Sequence, residues 1–282
     1  MAVELQTISQ QNLPDFIRVL NESSRDTSLD YNLDFLGFQA LWRYWNFSPT
    51  HSLLRYVGEE PAAIAIHSVD PSSQQGYAFY WGAVPKFRRQ GIALSLFEAS
   101  CRKLKDDGYK LLYADSLQER PADRYRDLHF EPQQIIVNMD VDTPRLPAAD
   151  VSFDIRNIDH HSIAKITLPG NESLHWTQRP AFLSNIANYL EFLGVFADDR
   201  LKAYAVVAFR GSKTTLLDIR SADSCRAAGI ELLRYLSRQA PLPITAFHVF
   251  EHSYTYNLLA DSAFVVTHRC SVLTRNLSST SA

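Results

Sequence analysis

The chain has 282 residues, which at about 150 residues per domain suggests two domains rather than one. Apolar residues make up 46% of the sequence and charged residues 21%, a globular composition that excludes a disordered or fibrous protein. The formal net charge of −3, from 28 Lys and Arg against 31 Asp and Glu, argues against a surface that mainly holds polyphosphate, and we expect no nucleic-acid partner.

The three cysteines are widely spaced, which excludes a disulfide framework or a zinc ribbon and fits a reducing compartment. The N-terminus lacks a basic start followed by an apolar run, and no window approaches 18 apolar residues. We therefore expect a cytoplasmic protein with no membrane partner.

The first half alternates short strands and helices. Strands are predicted at 3–8, 52–58, 62–69, 76–84, 110–115 and 133–141, and helices at 12–23, 33–45, 88–107 and 121–128. The helix at 33–45 and the strand at 76–84 are notably aromatic. The pattern predicts an α/β domain, or an α+β domain by some schemes.

The segment 142–150, DTPRLPAAD, holds two prolines and no apolar periodicity, so we place a linker there between domains 1–141 and 151–282. The second half repeats the order of elements. Its strands are predicted at 151–158, 192–199, 201–210, 214–220, 244–250 and 265–274, with two helices before 191, one at 227–239 and a short one through 258–259. This order predicts an internal duplication of the fold.

The strongest chemical signal lies in the segment 82–104. A strand ends there, and a helix opens with Arg88-Arg89-Gln90-Gly91-Ile92-Ala93. The first N–H groups of a helix lack internal partners and attract anions, Gly91 permits a close backbone approach, and Arg88 and Arg89 add positive charge. These residues predict a pyrophosphate site, and they fit an ordinary strand-to-helix turn with two solvated arginines equally well.

Residues 84–93 read V-x-x-x-R-x-x-G-x-A, which resembles the acetyl-CoA signature R/Q-x-x-G-x-G/A of the GNAT N-acetyltransferases. Neither a P-loop motif nor a G-x-G-x-x-G motif after a strand is present. The segment Tyr125-Arg126-Asp127-Leu128-His129-Phe130 is similar to the family's Y-x-x-L-G-F, with His129 in place of the glycine. The resemblance covers residues 1 to about 141.

The resemblance implies two tandem GNAT-like domains, each a mixed, mostly antiparallel central sheet flanked by helices. It further implies that strands four and five splay apart around the pantetheine arm of acetyl-CoA, with a backbone N–H near Ala83 or Val84 binding the oxyanion. The cofactor-binding residues that it implies are Ala83, Val84, Arg88, Arg89, Gln90, Gly91, Ile92, Ala93 and Gln118. Gln118 stands where the family often has an asparagine. Tyr125 is implied as the general acid for the CoA thiolate.

The general base is left open. Some family members carry a glutamate on the fourth strand, but residues 77–84 contain no carboxylate. Asp115 and Glu119 are candidate bases, acting directly or through water, although both also fit a solvated strand end. An amine that arrives deprotonated needs no strong base.

The acceptor side of the site is predicted from residues near the first two helices. Asp26, Asp30 and Asp34 recur every four residues, which would place them on one face of a helix close to Trp42 and Trp45. Such a face suits a cationic amine, but a solvated acidic face with the tryptophans in the core is the favoured interpretation.

The second half is predicted to be a degenerate domain. Its segment 226–231 keeps R-x-x-G, but Glu231 stands where Ala93 stands and would repel a pyrophosphate. Aligning Phe264 with Phe130 places Leu259 at the position of Tyr125. We therefore expect one active site, with the second half shaping the acceptor site or a dimer interface.

The sequence thus predicts an N-acetyltransferase that moves an acetyl group from acetyl-CoA to the primary amine of a small molecule or peptide. No metal is expected, because the pair His160-His161 lacks a third ligand at metal spacing. The acyl chain length is left open, and a homodimer is allowed. The alternative is a non-catalytic module that binds acyl-CoA or a partner, supported by His129, by Gln118 and by the missing carboxylate on the fourth strand.

Overall fold

The computed structural model describes residues 3–27, 29–117, 123–147, 153–163, 174–210, 212–221, 225–239 and 243–278. These residues form two compact units. The first comprises the described residues of Met1–Asp115, Ala122–Pro132 and Leu273–Ala282, and the second those of Ser116–Pro121 and Gln133–Val272. The units interleave along the chain, whereas the sequence predicts a single boundary at 142–150.

The first unit contains five strands and four helices in its N-terminal part. They are β1 (Val3–Thr7), α1 (Leu13–Ser24), α2 (Phe35–Trp45), β2 (Leu53–Val57), β3 (Glu60–Asp70), β4 (Gln75–Ala83), α3 (Ile92–Asp106), β5 (Leu111–Ser116) and α4 (Asp123–Asp127). Strands β1 to β4 pair antiparallel in chain order, and β5 pairs parallel to β4. The predicted elements of this half are confirmed, except that the third helix begins at Ile92 rather than near 88.

Local chemistry explains the bounds of α2. Asp34 caps its start by accepting a hydrogen bond from the N–H of Gly37 at 2.7 Å, and Asn46 ends it in the left-handed conformation. Its buried Phe38 packs against Phe16 of α1. The helix thus covers one part of the apolar core that β3 and β4 share with α1.

The second unit is built mostly from the second half of the sequence. Its elements are β6 (Glu131–Val141), β7 (Asp154–Asn157), α5 (His160–Ile163), α6 (Pro180–Asn185), β8 (Glu191–Ala197), β9 (Arg200–Arg210), β10 (Lys213–Ser221), α7 (Arg226–Gln239), β11 (Ile244–Phe250), α8 (Tyr254–Asp261) and β12 (Val265–Asn276). The first two residues of β6 and the last four of β12 belong to the first unit. Strands β7 to β10 pair antiparallel in chain order, and β11 pairs parallel to β10. The α/β architecture with mostly antiparallel sheets is confirmed.

Each unit contains one pair of parallel strands, β4 with β5 or β10 with β11. The strand on the other side of β5 or of β11 comes from the other half of the sequence. In the second unit, β6 pairs antiparallel to β11, with Ile244 opposite Val141. In the first unit, the end of β12 lies beside β5, and the Leu277 N–H donates to the Lys110 carbonyl at 2.8 Å. Because each half of the sequence supplies a strand to the unit of the other half, the unit boundaries do not fall at the predicted linker. None of the helices in the described ranges combines the length and apolar character that a bilayer crossing requires.

Candidate active site

Strands β4 and β5 separate partway along their length. They pair only from Gln75 with Leu111 to Tyr77 with Tyr113, although β4 continues to Ala83. Against β3, the register of β4 shifts after Ala78, which leaves Phe79 as an extra residue. A bulge of this kind bends its strand and ends regular pairing. The splay of strands four and five that the resemblance implies is therefore present in the first unit.

The edge of β4 that faces away from β3 offers backbone groups for a ligand. The N–H of Val84 donates to the Ala62 carbonyl at 2.9 Å, so this amide is not available to an oxyanion, and the expectation for Val84 is corrected. Because hydrogen-bonded and non-hydrogen-bonded pairs alternate in an antiparallel ladder, the next pair, Ala83 with Ala63, directs the Ala83 N–H away from β3. Ala83 is therefore the remaining oxyanion donor of the two.

The loop after β4 ends in a helix start without a side-chain cap. Gly91 precedes α3 with φ +70°, and Arg89 also has a positive φ, of +62°. The first intrahelical bond runs from Ser95 N to the Gly91 carbonyl at 2.9 Å, so the N–H groups at 92–94 have no partner within the helix. A Cβ added at Gly91 would meet no atom within 4 Å, so the need for glycine arises from its backbone conformation rather than from crowding.

The two arginines of the loop have different surroundings. The Arg88 guanidinium donates to the carbonyls of Ser23 and Arg25 at 3.3 and 3.1 Å, and its Nε lies 3.4 Å from the Ala83 carbonyl. It therefore ties the loop to the end of α1, where the helix dipole is negative, instead of adding charge to an anion site. Arg89 is exposed and has no hydrogen bond or ion pair with the described residues.

The other loop residues predicted to bind the cofactor are placed as follows. The Gln90 side chain donates to the Lys86 carbonyl at 3.2 Å. Ile92 is buried in the core, and Ala93 packs against the same cluster. Gln118 and the candidate base Glu119 lie outside the described residues.

Tyr125 is held on α4 by aromatic packing. Its ring meets Trp81 of β4 edge-on, at 5.6 Å between centroids, and contacts Phe130 at 6.1 Å. The helix ends with the Phe130 N–H bonded to the Tyr125 carbonyl at 2.9 Å, and His129 between them has φ +57°. This left-handed position explains why the family's motif has glycine where this chain has His129.

Asp115 lies where the two strands separate and is bound to β4. Its Oδ2 accepts a hydrogen bond from the Tyr77 hydroxyl at 2.9 Å, and the Tyr77 ring stacks on Trp45 at 5.2 Å. Burial raises the pKa of Tyr77 well above its ordinary value, with further contributions from Asp115, Tyr31 and Tyr125. Asp115 thus places a carboxylate of β5 beside β4, whereas residues 77–84 contain none. The only signal for Tyr77 in the sequence was its place in the aromatic strand.

The predicted acidic face is not formed. Asp26 and Asp30 have positive φ angles of +64° and +32°, and Asp34 is the cap of α2, so the three carboxylates are not on one helix. A chain that turns at these positions has no four-residue periodicity. Trp42 and Trp45 pack against the apolar core, as the favoured interpretation expected.

In the second unit, the helix after β10 begins before its glycine. Helix α7 starts at Arg226, so Gly229 lies inside its first turn, where an added Cβ would meet Leu258 at 2.8 Å. The α8 end repeats the geometry of α4: the Phe264 N–H bonds to the Leu259 carbonyl at 3.1 Å, and Ala263 has φ +69°. The buried Leu259 therefore occupies the position of Tyr125, as the alignment of the two halves predicts.

The expectation that His160 and His161 lack a third ligand is wrong. One ligand atom each from Asp159, His160 and His161 lie within 4.8 Å of one another, because Asp159 precedes the pair at the start of α5. Adjacent residues at an exposed turn come together in this way without a metal, and the absence of a metal cofactor stays a prediction.

Comparison with known proteins agrees with this geometry. Residues 15–130, less than half of the chain, match the Acetyltransferase (GNAT) family. The sequence matches no curated protein at a significant level.

Solved structures extend the likeness to the whole chain. A GCN5-related N-acetyltransferase from Sphaerobacter thermophilus has a TM-score of 0.63 at 11% identity, with 98% of this chain and 96% of that chain covered. A tandem GNAT protein from the clavulanic acid biosynthesis pathway has a TM-score of 0.65 at 12% identity, with 99% and 100% covered. A probable N-acyltransferase from Enterococcus faecalis has a TM-score of 0.69 at 11% identity, with 98% and 73% covered. Identities this low show the fold alone, which is that of a tandem GNAT protein.

Proposed function

We propose that the first unit is an N-acetyltransferase that moves an acetyl group from acetyl-CoA to a primary amine by direct attack in a ternary complex. The observation that carries this proposal is the separation of β4 and β5 beyond Tyr77 and Tyr113. The Gly91 loop follows the same strand, and Tyr125 packs on it through Trp81. A small molecule or a peptide would supply the amine.

Acetyl-CoA would be held by the backbone more than by side chains. Its pantetheine arm carries amides, which the exposed edge of β4 near Ala83 can bind as an added strand would. Its pyrophosphate would lie at the start of α3, where the N–H groups after Gly91 have no helical partner and Arg89 supplies charge. Gln90 and Ile92 contribute to this loop through their backbone.

The chemistry requires an oxyanion donor, a general acid and a general base. The amine nitrogen attacks the carbonyl carbon, and the Ala83 N–H stabilises the oxyanion, a contribution of about 3 kcal/mol for a preorganised donor. The C–S bond then breaks, and Tyr125 gives its proton to the CoA sulfur. Asp115 takes a proton from the incoming ammonium through the Tyr77 hydroxyl, and a nitrogen proton lost as the amide forms restores Tyr125.

The test is calorimetric titration with acetyl-CoA, followed by a mass-spectrometric screen for acetylation of small amines and peptides. We expect Tyr125→Phe to keep the affinity for acetyl-CoA and to lower turnover by about 10²-fold or more, the usual contribution of a general acid. Tyr256→Phe, on α8 of the second unit, is the matched control.

Two results would contradict the proposal. A protein that binds neither acetyl-CoA nor CoA is not an acetyltransferase. A protein that binds acetyl-CoA but acetylates no amine in the screen is the non-catalytic acyl-CoA-binding module, the alternative that His129 and Gln118 first suggested.

A further inference from the structure

The second unit repeats the strand separation of the first. Strands β10 and β11 pair in parallel only from Thr214 with Ile244 to Leu216 with Ala246. Beyond that point β10 continues to Ser221 and β11 to Phe250 without pairing to each other. The backbone carbonyls that follow the last pair therefore need other hydrogen-bond donors.

A side chain of the same unit supplies these donors. Gln178 Nε2 lies 3.2 Å from the Leu217 carbonyl of β10 and 3.4 Å from the His248 carbonyl of β11. One amide nitrogen with two hydrogens thus bridges the two strands where they separate. Its Oε1 accepts from the His175 N–H at 3.2 Å, and the residue is only 4% exposed. Both the nitrogen and the oxygen of the carboxamide are therefore hydrogen-bonded within the protein.

The segment that carries Gln178 is fixed at a second point. The Thr177 hydroxyl lies 2.8 Å from Nδ1 of His175 and 2.8 Å from Nδ1 of His248. Because the Thr177 N–H also donates to Nδ1 of His175, that nitrogen carries a lone pair. The hydroxyl therefore donates to His175 and accepts from Nδ1–H of His248, which links the segment to β11.

His248 itself is adapted to this contact. It has φ +54° at a register shift of β11 against β6, and its N–H donates to the Asn138 side chain at 3.2 Å. The His175, Thr177 and Gln178 side chains are all buried. The segment 175–178 is thus built into the space between the strands by hydrogen bonds from both of its ends.

We propose that residues 175–178 are a built-in occupant of the second unit. They fill the space between β10 and β11 just beyond the last pair of the two strands. The proposed function assigns the matching space between β4 and β5 of the first unit to the acetyl-CoA arm. The second unit therefore admits no acyl-CoA, and the whole chain binds one equivalent. The inference rests on the proposed function, because that function assigns the space between β4 and β5 to the acetyl-CoA arm. It gives a physical cause for the degenerate state of the second half, beyond the position of Gly229 inside α7 and the replacement of the tyrosine by Leu259.

The experiment uses the full chain and measures two quantities, the number of acetyl-CoA molecules bound and the rate of hydrogen exchange in the segment. Acetyl-CoA is titrated calorimetrically into the wild-type protein and into Gly91→Val, and hydrogen exchange of the 174–179 backbone is followed with and without acetyl-CoA. We expect one equivalent for the wild type, binding at least about tenfold weaker for the variant, and slow exchange of the segment that acetyl-CoA does not change.

A substitution at the bridge adds a direct test. Gln178→Leu keeps the size of the side chain but removes both donors, so exchange of the segment should become at least about tenfold faster. Gln239→Leu, at the exposed end of α7, should leave it unchanged. Should Gln178→Leu fail to fold, the wild-type measurements still decide.

The outcomes separate the two proposals. A second equivalent, an unchanged affinity in Gly91→Val, or faster exchange of the segment on addition of acetyl-CoA would overturn the inference. No binding by the wild type would overturn the proposed function. In that case, slow exchange of the segment would still support its role as occupant, and fast exchange would refute it.

Discussion

Arg275 of β12 donates from both terminal nitrogens to the Glu98 carboxylate of α3, at 2.7 and 2.9 Å, across 177 positions of sequence. The same end of β12 brings Leu273 and Leu277 into the apolar cluster that contains Tyr125. The unit that carries the proposed active site is therefore completed by the last segment of the chain. Bidentate pairs of this kind are strong because both hydrogen bonds are charge-assisted.

Loss of this pair should destabilise the first unit. Arg275→Ala leaves Glu98 half-buried without its partner, and we expect a decrease in the free energy of unfolding of about 1–3 kcal/mol, measured by urea denaturation. Arg275→Lys, which keeps the charge but not the bidentate geometry, should lose less. Equal stability of Arg275→Ala and the wild type would contradict this account.

The same pair predicts a pH dependence. The hydrogen bond from Arg275, opposed in part by burial, lowers the pKa of Glu98 below its ordinary value of 4.5. The stability that the pair provides is thus present above that ordinary pKa and lost as the pH falls through the lower folded-state pKa. In urea denaturation at acidic pH, Arg275→Ala should not show the part of the stability loss that comes from protonation of Glu98. Arg269→Ala, which removes the ion pair with Glu251, should still show it.

The Gly91 loop allows a matched comparison of two glycines. Gly91 and Gly58 have φ angles of +70° and +65°, and an added Cβ would meet no atom at either position. Valine at either site should cost about 1–2 kcal/mol of backbone strain. Only Gly91→Val should also raise the dissociation constant for acetyl-CoA, by at least about tenfold, because it alters the anion-binding start of α3. A similar loss of affinity in Gly58→Val would show that strain alone is responsible.

His129 occupies a position suited to glycine. With φ +57° and an exposed side chain, it bears backbone strain that His129→Gly removes. We expect this change to raise the unfolding free energy by about 0.5–1 kcal/mol, after the larger entropy of glycine in the unfolded chain is counted. The reverse change at Gly108, whose φ is +91°, should be destabilising. A loss of stability in His129→Gly would mean that the imidazole makes a contact worth more than the strain.

His67 is buried in a neutral form. Its Nε2 lies 2.7 Å from Ser100 Oγ, and its Nδ1 has no partner among the described residues. Burial, with a further effect of His51, lowers the pKa of His67 to about 3 from 6.5. The unfolded chain therefore binds a proton below pH 6.5 that the folded protein does not, and stability falls as the pH decreases.

Between about pH 7.5 and about pH 5, this group should account for about 2 kcal/mol of lost stability. His67→Gln, which can still donate to Ser100, should show a smaller decrease in urea denaturation over the same range. The exposed His268→Gln serves as the control. An unchanged decrease in His67→Gln would show that other groups cause the acid sensitivity.

Asp115 and Tyr77 should act together on turnover. Asp115→Asn removes the proposed base, so acetylation then depends on the fraction of amine that is already deprotonated, and its rate should shift to higher pH. Tyr77→Phe keeps the packing on Trp45 and should shift the profile in the same direction, with no further shift in the double variant. Asp106→Asn, on the exposed side of α3, should not move it. An unmoved profile in Asp115→Asn would remove it from the mechanism.

Much of the site could be predicted because its signals are local. Gly91 and Tyr125 lie in short motifs whose spacing follows from a helix start and a helix end, and the structure places them at such positions. The role of Arg88 could not be predicted, because its partners Ser23 and Arg25 lie more than 60 positions away. The acidic face is not formed for a related reason: Asp26 and Asp30 have positive φ angles outside any helix, so a four-residue repeat does not bring them to one face.

The sequence by itself determined the elements, the duplicated order, the GNAT-like loop and the degenerate motif of the second half, since apolar period and helix-end chemistry act between near neighbours. Only the tertiary structure decided that β6 pairs with β11 and that the end of β12 lies beside β5. The apolar pattern of a strand specifies which of its faces is buried but not which strand lies beside it. The partner is set by contacts such as Arg275 with Glu98 and the His248 N–H with the Asn138 side chain, which form only when distant parts of the chain meet.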